Sequence, residues 1–164
     1  MPLSNISLAR LAAVEPHLAE RIKQLDALAP ELNIQVTQGL RTWNEQAALW
    51  AKGRDAAGNV IEQAAVVTDA PPGHSWHEFG LAVDIVPEEI TPGEPDWNET
   101  HPAWQRINAF APTVGLFEGN HYPGKFKDAP HLQPQEIPLS PTDADRQDFL
   151  EAGMSAVRAE YFPT

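Results

Sequence analysis

The chain has 164 residues, no cysteine, and 23 acidic against 11 basic side chains, for a net charge of −12. A chain of that length closes a core without staples, so one domain over residues 1–164 is expected. Disulfides and thiolate metal sites are excluded, and basic residues scattered through an acidic background argue against nucleic acid as a partner.

The N-terminal residues show no basic stretch leading into an apolar run, so no secretory signal is visible and synthesis in the cytoplasm is expected. No apolar run approaches the length of a membrane span. Leu18, Ile22, Leu25 and Leu28 recur at helical spacing and predict a helix from Glu15 to Ala29, with Pro16 in its first turn and a shorter helix over Ser7 to Val14 before it. Pro30 ends the longer helix. Ile34 to Thr37 alternates like a strand, and a second helix is expected from Asn44 as N-cap through Trp50 to Gly53.

Residues 54–72 form a long connection with one expected strand at Ala65 to Thr68. A connection of that length reads as a binding loop, with a surface excursion as the alternative. Leu81 to Val86 reads as a strand with Leu81, Val83 and Ile85 on an apolar face and Asp84 on the other. A loop rich in proline and acid covers 87–99. Its Glu88, Glu89, Glu94 and Asp96 lack the spacing of a calcium loop and read as a solvated face. Thr100 is expected to cap a helix to Val114 with Trp104, Ile107 and Phe110 inward. Residues 115–134 should contain a hairpin ending near His131, and Thr142 should cap a last helix to Tyr161. The five tryptophans read mainly as core. Helices around short, non-contiguous strands predict an α+β fold with a small antiparallel β-sheet packed with helices.

Two segments carry chemistry: Ser75 to Asp84, which holds His77, and Asp128-Ala129-Pro130-His131. A hydrolytic zinc site takes three His or carboxylate ligands and leaves the fourth position open, and His77, Asp84 and His131 would supply that set. Seven extended residues would span on the order of 23 Å, so the chain must turn between His77 and Asp84. Gly80 is the residue that permits the turn. Asp128 offers an uncoordinated base three residues before His131. Structural hydrogen bonding is the plain alternative for each of these groups. The His77-Glu78 pair is not the helical HExxH zinc motif, because position 81 is Leu, and no G-x-S-x-G serine elbow occurs.

The pattern S-x-H-x-x-G-x-A-x-D, complete from Ser75 to Asp84, resembles the signature of the LAS zinc peptidases, a group that includes lysostaphin, D-Ala-D-Ala peptidases and sonic hedgehog. Asp128 to Gln133 resembles the D-x-P-H-x-Q block of phage-type L-alanyl-D-glutamate endopeptidases, and Gly39-Leu40-Arg41-Thr42 resembles the family's G-x-R-[ST] block. These matches cover about residues 30–135, the expected motif-bearing core. The resemblance implies a hedgehog/D-Ala-D-Ala-peptidase-like fold and one Zn²⁺ ion on His77, Asp84 and His131. It makes Asp128 the general base and then the proton donor, and Arg41 the stabiliser of negative charge on the substrate. Gln46 and Ser75 are implied substrate-side residues, Ser75 being equally well a turn hydroxyl.

By the same resemblance the substrate is bacterial peptidoglycan, cut between L-alanine and D-glutamate; with no visible signal, an enzyme of this kind, expected to be a monomer, reaches the wall by lysis, through a pore or by an unrecognised export route, which fits an endolysin. A D-alanyl-D-alanine carboxypeptidase and a non-hydrolytic wall-binding module are the alternatives. Gly119 to Gly124 departs from the Gly-Gly-x-Trp stretch of related endopeptidases, which bears on substrate preference. His74 and His121 read as cleft or surface residues, and His17 and His101 as surface residues at helix starts.

Overall fold

The computed structural model describes residues 3–88, 97–124 and 127–163. Glu89, Glu94 and Asp96 of the acidic loop lie outside these residues. Helix α1 (Asn5–Leu11) is capped by Ser4, whose hydroxyl accepts from the Ser7 N–H at 3.1 Å. Helix α2 (Pro16–Leu28) starts with Pro16 in its first turn and with the Glu15 carboxylate accepting from the Leu18 N–H at 3.0 Å. Leu18, Ile22 and Leu25 bury completely along one face, while Leu28, at the helix end, lies exposed.

Strands β1 (Gln35–Gln38), β2 (Val83–Val86), β3 (Leu116–Gly119) and β4 (Asp128–Pro134) form one antiparallel sheet in the order β1-β2-β4-β3. One face of it joins the side chains of α1, α2 and α4 (Pro102–Phe110) in the main core, where Val36, Val83, Ile85 and Leu132 meet Leu11, Ile22, Trp104 and Ile107. A second apolar cluster gathers Trp76, Phe79, Leu81 and Val157, with Trp43, Phe149 and Tyr161 packed against it. It unites the turn that carries His77 with α3 (Trp43–Trp50), α5 (Asp143–Ala152) and α6 (Met154–Tyr161). The expected α+β fold with a small antiparallel sheet is therefore the observed one.

Several boundaries differ from the sequence reading, each for a local reason. Helix α3 starts two residues earlier than an Asn44 cap would place it. Thr42 is its cap, and Thr42 and Glu45 satisfy each other's backbone N–H at 3.2 and 2.7 Å, a capping box. The α4 cap is His101 instead of Thr100, because Pro102 occupies the first helical position and holds the preceding residue extended. Residues 111–114 continue from α4 as a separate 3-10 turn. The expected strand at Ala65 to Thr68 is absent, and a 3-10 turn spans Gln63–Ala65 instead. Gly153 divides the last helix into α5 and α6. Trp97, read as core, is 59% exposed.

Gly80 closes the turn Trp76–Phe79 at φ 64, ψ 30, and a Cβ there would stand 1.8 Å from Arg158 Nη2. Arg158 is fixed, with Nε donating to the Phe79 carbonyl at 2.9 Å and Nη2 to the Ala13 carbonyl at 3.0 Å. A left-handed conformation alone costs a non-glycine residue about 1–2 kcal/mol. Gly80→Ala is therefore expected to lower unfolding free energy by at least that amount in urea titration, with Arg158 displaced.

Candidate metal centre

Asp84 and His131 are register partners on adjacent antiparallel strands. Directly opposed residues share a face of the sheet with their Cβ atoms about 4.5–5.5 Å apart, so pairing alone brings the two side chains together. Val83 and Ile85 alternate into the core, which turns Asp84 to the opposite side, as the sequence reading expected. On its other edge β4 is irregular. Glu118 pairs with Leu132, but Gly119 pairs with Asp128, so Ala129, Pro130 and His131 bulge out of the β3 ladder. Pro130 has no N–H to lose there. The bulge leaves both Asp128 and His131 on the wall of one cleft. A Cβ at Gly119 would lie 2.2 Å from the Asp128 carbonyl oxygen, so only glycine permits this approach.

His77 arrives from the 3-10 turn that Gly80 ends. Its Nδ1 lies 2.9 Å from the Gly39 carbonyl, which can only accept, so in the neutral ring Nδ1 carries the proton and Nε2 keeps its lone pair. That Nε2 faces Asp84 Oδ1 at 3.1 Å, and His131 Nδ1 faces the same oxygen at 3.8 Å. One donor atom from each of the three residues lies within 4.8 Å of the others. Zinc bonds of about 2.0–2.1 Å at tetrahedral angles put ligand atoms about 3.3 Å apart, so small side-chain adjustments close this set on an ion. With both rings neutral this is a donor set that a cation can complete, and the residues fit Zn²⁺.

The loop before His77 is held by Glu78. Its carboxylate accepts from the Gly73 N–H at 2.8 and 2.9 Å and from the Ser75 N–H at 3.1 Å. Burial pushes the Glu78 carboxyl up in pKa, and these backbone donors oppose the shift. Arg41 donates its backbone N–H to the His77 carbonyl at 3.0 Å, and its Nη2 lies 3.7 Å from Asp84 Oδ2. Gln46 stands behind Arg41. Its Oε1 accepts from Arg41 Nη1 at 2.7 Å, its Nε2 donates to the Ala70 carbonyl at 2.7 Å, and it is fully buried. It is not among the residues that line the cleft, so the structure makes it a support of Arg41 and of the 54–72 connection instead of a substrate contact.

The cleft, about 630 Å³, brings Arg41, Ser75, Asp128 and the three candidate ligands together. Residues 67–71, from the end of the long connection, form part of its wall. His74, Trp97 and Tyr122 also line it. His121, by contrast, is an exposed residue just after β3, paired with Glu118. Burial would raise the Asp84 carboxyl, but His77, His131 and Arg41 overrule it and hold Asp84 at about 2. Burial, with His77 second, lowers His131 to about 4. Both groups are in their ligand forms at neutral pH. Burial, followed by the Asp84 charge, raises Asp128 to about 6, the range suited to a general base.

Sequence reasoning missed Glu78, Tyr122 and Trp97 as parts of the site. Glu78 lay inside the motif and three residues after Ser75, at capping-box spacing; the other two sit in loops with no periodic signal.

The fold and the donor set define a class: a small α+β protein with two histidines and one carboxylate grouped so that they could hold a metal ion, open to a cleft. Residues 12–133 match VanY, D-alanyl-D-alanine carboxypeptidase, and the chain belongs to that family. Peptidoglycan L-alanyl-D-glutamate endopeptidase CwlK of Bacillus subtilis strain 168 is 32% identical over 108 residues, covering 62% of this chain and 60% of that protein. The chain thus spans about 60% of the length of this curated relative. Serratia marcescens L-Ala D-Glu endopeptidase ChiX has the same fold at TM-score 0.55 and 21% identity, over 79% of this chain and 86% of its own. So does a vancomycin-resistance D,D-pentapeptidase VanY from a VanB-type cassette, solved with Zn(II), at TM-score 0.55 and 18% identity over 88% of this chain and 83% of its own.

If the three side chains hold one ion, His77→Ala and His131→Ala should each abolish stoichiometric zinc retention through gel filtration, measured by metal analysis. Unchanged zinc content in either variant would refute the ligand set.

Proposed function

We propose that this protein is a zinc-dependent peptidase that hydrolyses peptidoglycan stem peptides between L-alanine and D-glutamate, acting as a monomer with one Zn²⁺ on His77, Asp84 and His131. The observation that carries the reading is the convergence of those three donors with an unligated carboxylate, Asp128, and a guanidinium, Arg41, on one cleft. The endopeptidase name of the 32%-identical relative supports the choice of bond. A non-hydrolytic binding module has no need of Asp128 beside the ligands.

When bound, Zn²⁺ supplies a Lewis acid that acidifies water and polarises an amide carbonyl. Asp128, ionised above about pH 6, takes the proton of the attacking water and returns it to the leaving amine. Arg41, braced by Gln46 and by its backbone bond to His77, is placed to stabilise the oxyanion that develops on the substrate. D-alanyl-D-alanine carboxypeptidase action is the second reading, favoured by the family description that residues 12–133 match.

Digestion of purified peptidoglycan followed by mass spectrometry separates these readings. New N-terminal D-glutamate is the expected product, and free D-alanine would transfer the assignment to the second reading. Intact muropeptides with zinc-loaded protein would refute both.

Asp128→Asn should retain zinc and lose at least about 10²-fold in kcat, and Arg41→Ala should lose about 10²–10³-fold. Activity should rise with pH as Asp128 loses its proton. A bound dication stabilises the carboxylate, so the acid limb of kcat/KM should fall at or below pH 6. A limb well above pH 6 would exclude Asp128 as the base.

A further inference from the structure

Gln133 lies two residues beyond His131 on β4 and is fully buried. Its Nε2 is 2.9 Å from the Pro138 carbonyl oxygen, an atom that can only accept, so the amide nitrogen faces Pro138 and Oε1 faces the other way. On that side Oε1 lies 3.0 Å from His131 Nε2 and 3.1 Å from the Tyr122 hydroxyl. A carboxamide oxygen cannot donate. The neutral His131 ring must then carry its proton on Nε2 and keep its lone pair on Nδ1, the atom that faces Asp84 at 3.8 Å.

From this series of one-way partners we infer that Gln133 is the positioning residue that sets the His131 tautomer and aims Nδ1 into the metal position. The alternative proton site is real. Asp84 is an ionised acceptor on the Nδ1 side, and without the Gln133 oxygen it would draw the proton to Nδ1 and remove the lone pair that a cation needs. The Tyr122 hydroxyl donates into the same oxygen, fixing the amide from a second direction. The Pro138 carbonyl also accepts from Trp76 Nε1 at 2.7 Å, and Trp76 precedes His77. A single carbonyl thus anchors supports of both histidine-bearing segments. Gln133 touches neither substrate nor ion, and it acts through His131.

The consequence for metal rests on the zinc reading above, whereas the tautomer does not. With ¹⁵N-labelled histidine in the metal-free protein, two-bond ¹⁵N–¹H correlations should show His131 protonated on Nε2. Gln133→Leu, similar in volume but without an acceptor, should move that proton to Nδ1 and weaken zinc binding about 10–100-fold in chelator competition. Gln133→Glu keeps an oxygen facing the ring and, as the neutral acid whose hydroxyl donates to the Pro138 carbonyl, should keep both the Nε2 proton and zinc affinity within about threefold. An Nδ1 proton in the parent protein overturns the inference, as does a Leu variant with unchanged tautomer and affinity. Should the Leu variant not fold, loss of the Nε2 proton in the Glu variant overturns it in the same way. Failure of the parent protein to bind zinc would instead refute the metal reading and leave the tautomer result standing.

Discussion

The centre depends on one cross-strand pair, Asp84 opposite His131, facing away from the main core. Antiparallel pairing fixes side-chain faces with a period of two, so a slip of one residue would send Asp84 into the space that Val83 and Ile85 fill and leave an apolar residue beside His131. Burying an unpaired carboxylate among Leu132, Ile22 and Trp104 is costly enough that this register is strongly enforced. The apolar core and the candidate metal position are therefore opposite sides of one decision about strand alignment. The bulge at Ala129 to His131 complements it, bringing Asp128 to the cleft without disturbing the Leu132 and Gln133 pairings that hold β4 to β3.

Acceptors that cannot donate set the electronic state of the site. The Gly39 carbonyl takes the Nδ1 proton of His77, and the Gln133 oxygen, itself oriented by Pro138, faces Nε2 of His131. The two rings consequently present opposite nitrogens to the same Asp84 oxygen. Such control matters more in a buried setting, where each charge or unpaired dipole weighs heavily. The depressed His131 and Asp84 values and the raised Asp128 value arise in one small volume from burial and mutual charge. Carboxylates with opposite shifts are free to take different tasks.

Much of this was legible in the chain. The Leu18, Ile22 and Leu25 stripe and the Val83, Asp84, Ile85 alternation are periodic signals, and they gave the helix and the facing of Asp84. The His77 to Asp84 separation demanded a turn, and Gly80 supplied it. The match of residues 12–133 to the VanY family agrees with the three motif resemblances. Less visible was what depends on neighbours remote in sequence. The burial of Gln46 behind Arg41 and the exposure of Trp97 follow from packing, and side-chain type alone does not encode them. Cap positions failed where two residues one or two positions apart could each serve. Thr42 prevailed over Asn44 because Glu45 completes a reciprocal box, and His101 prevailed over Thr100 because proline fixes the residue before it.

The space beneath Gly80 is filled by Arg158, which reaches from α6 to the carbonyls of Phe79 and Ala13. The histidine turn is in effect cantilevered from the far end of the chain, with the C-terminal helix as its footing. Remodelling α6, whether by trimming it or by attaching cargo to it, would disturb that footing and be felt at His77, in the turn it supports.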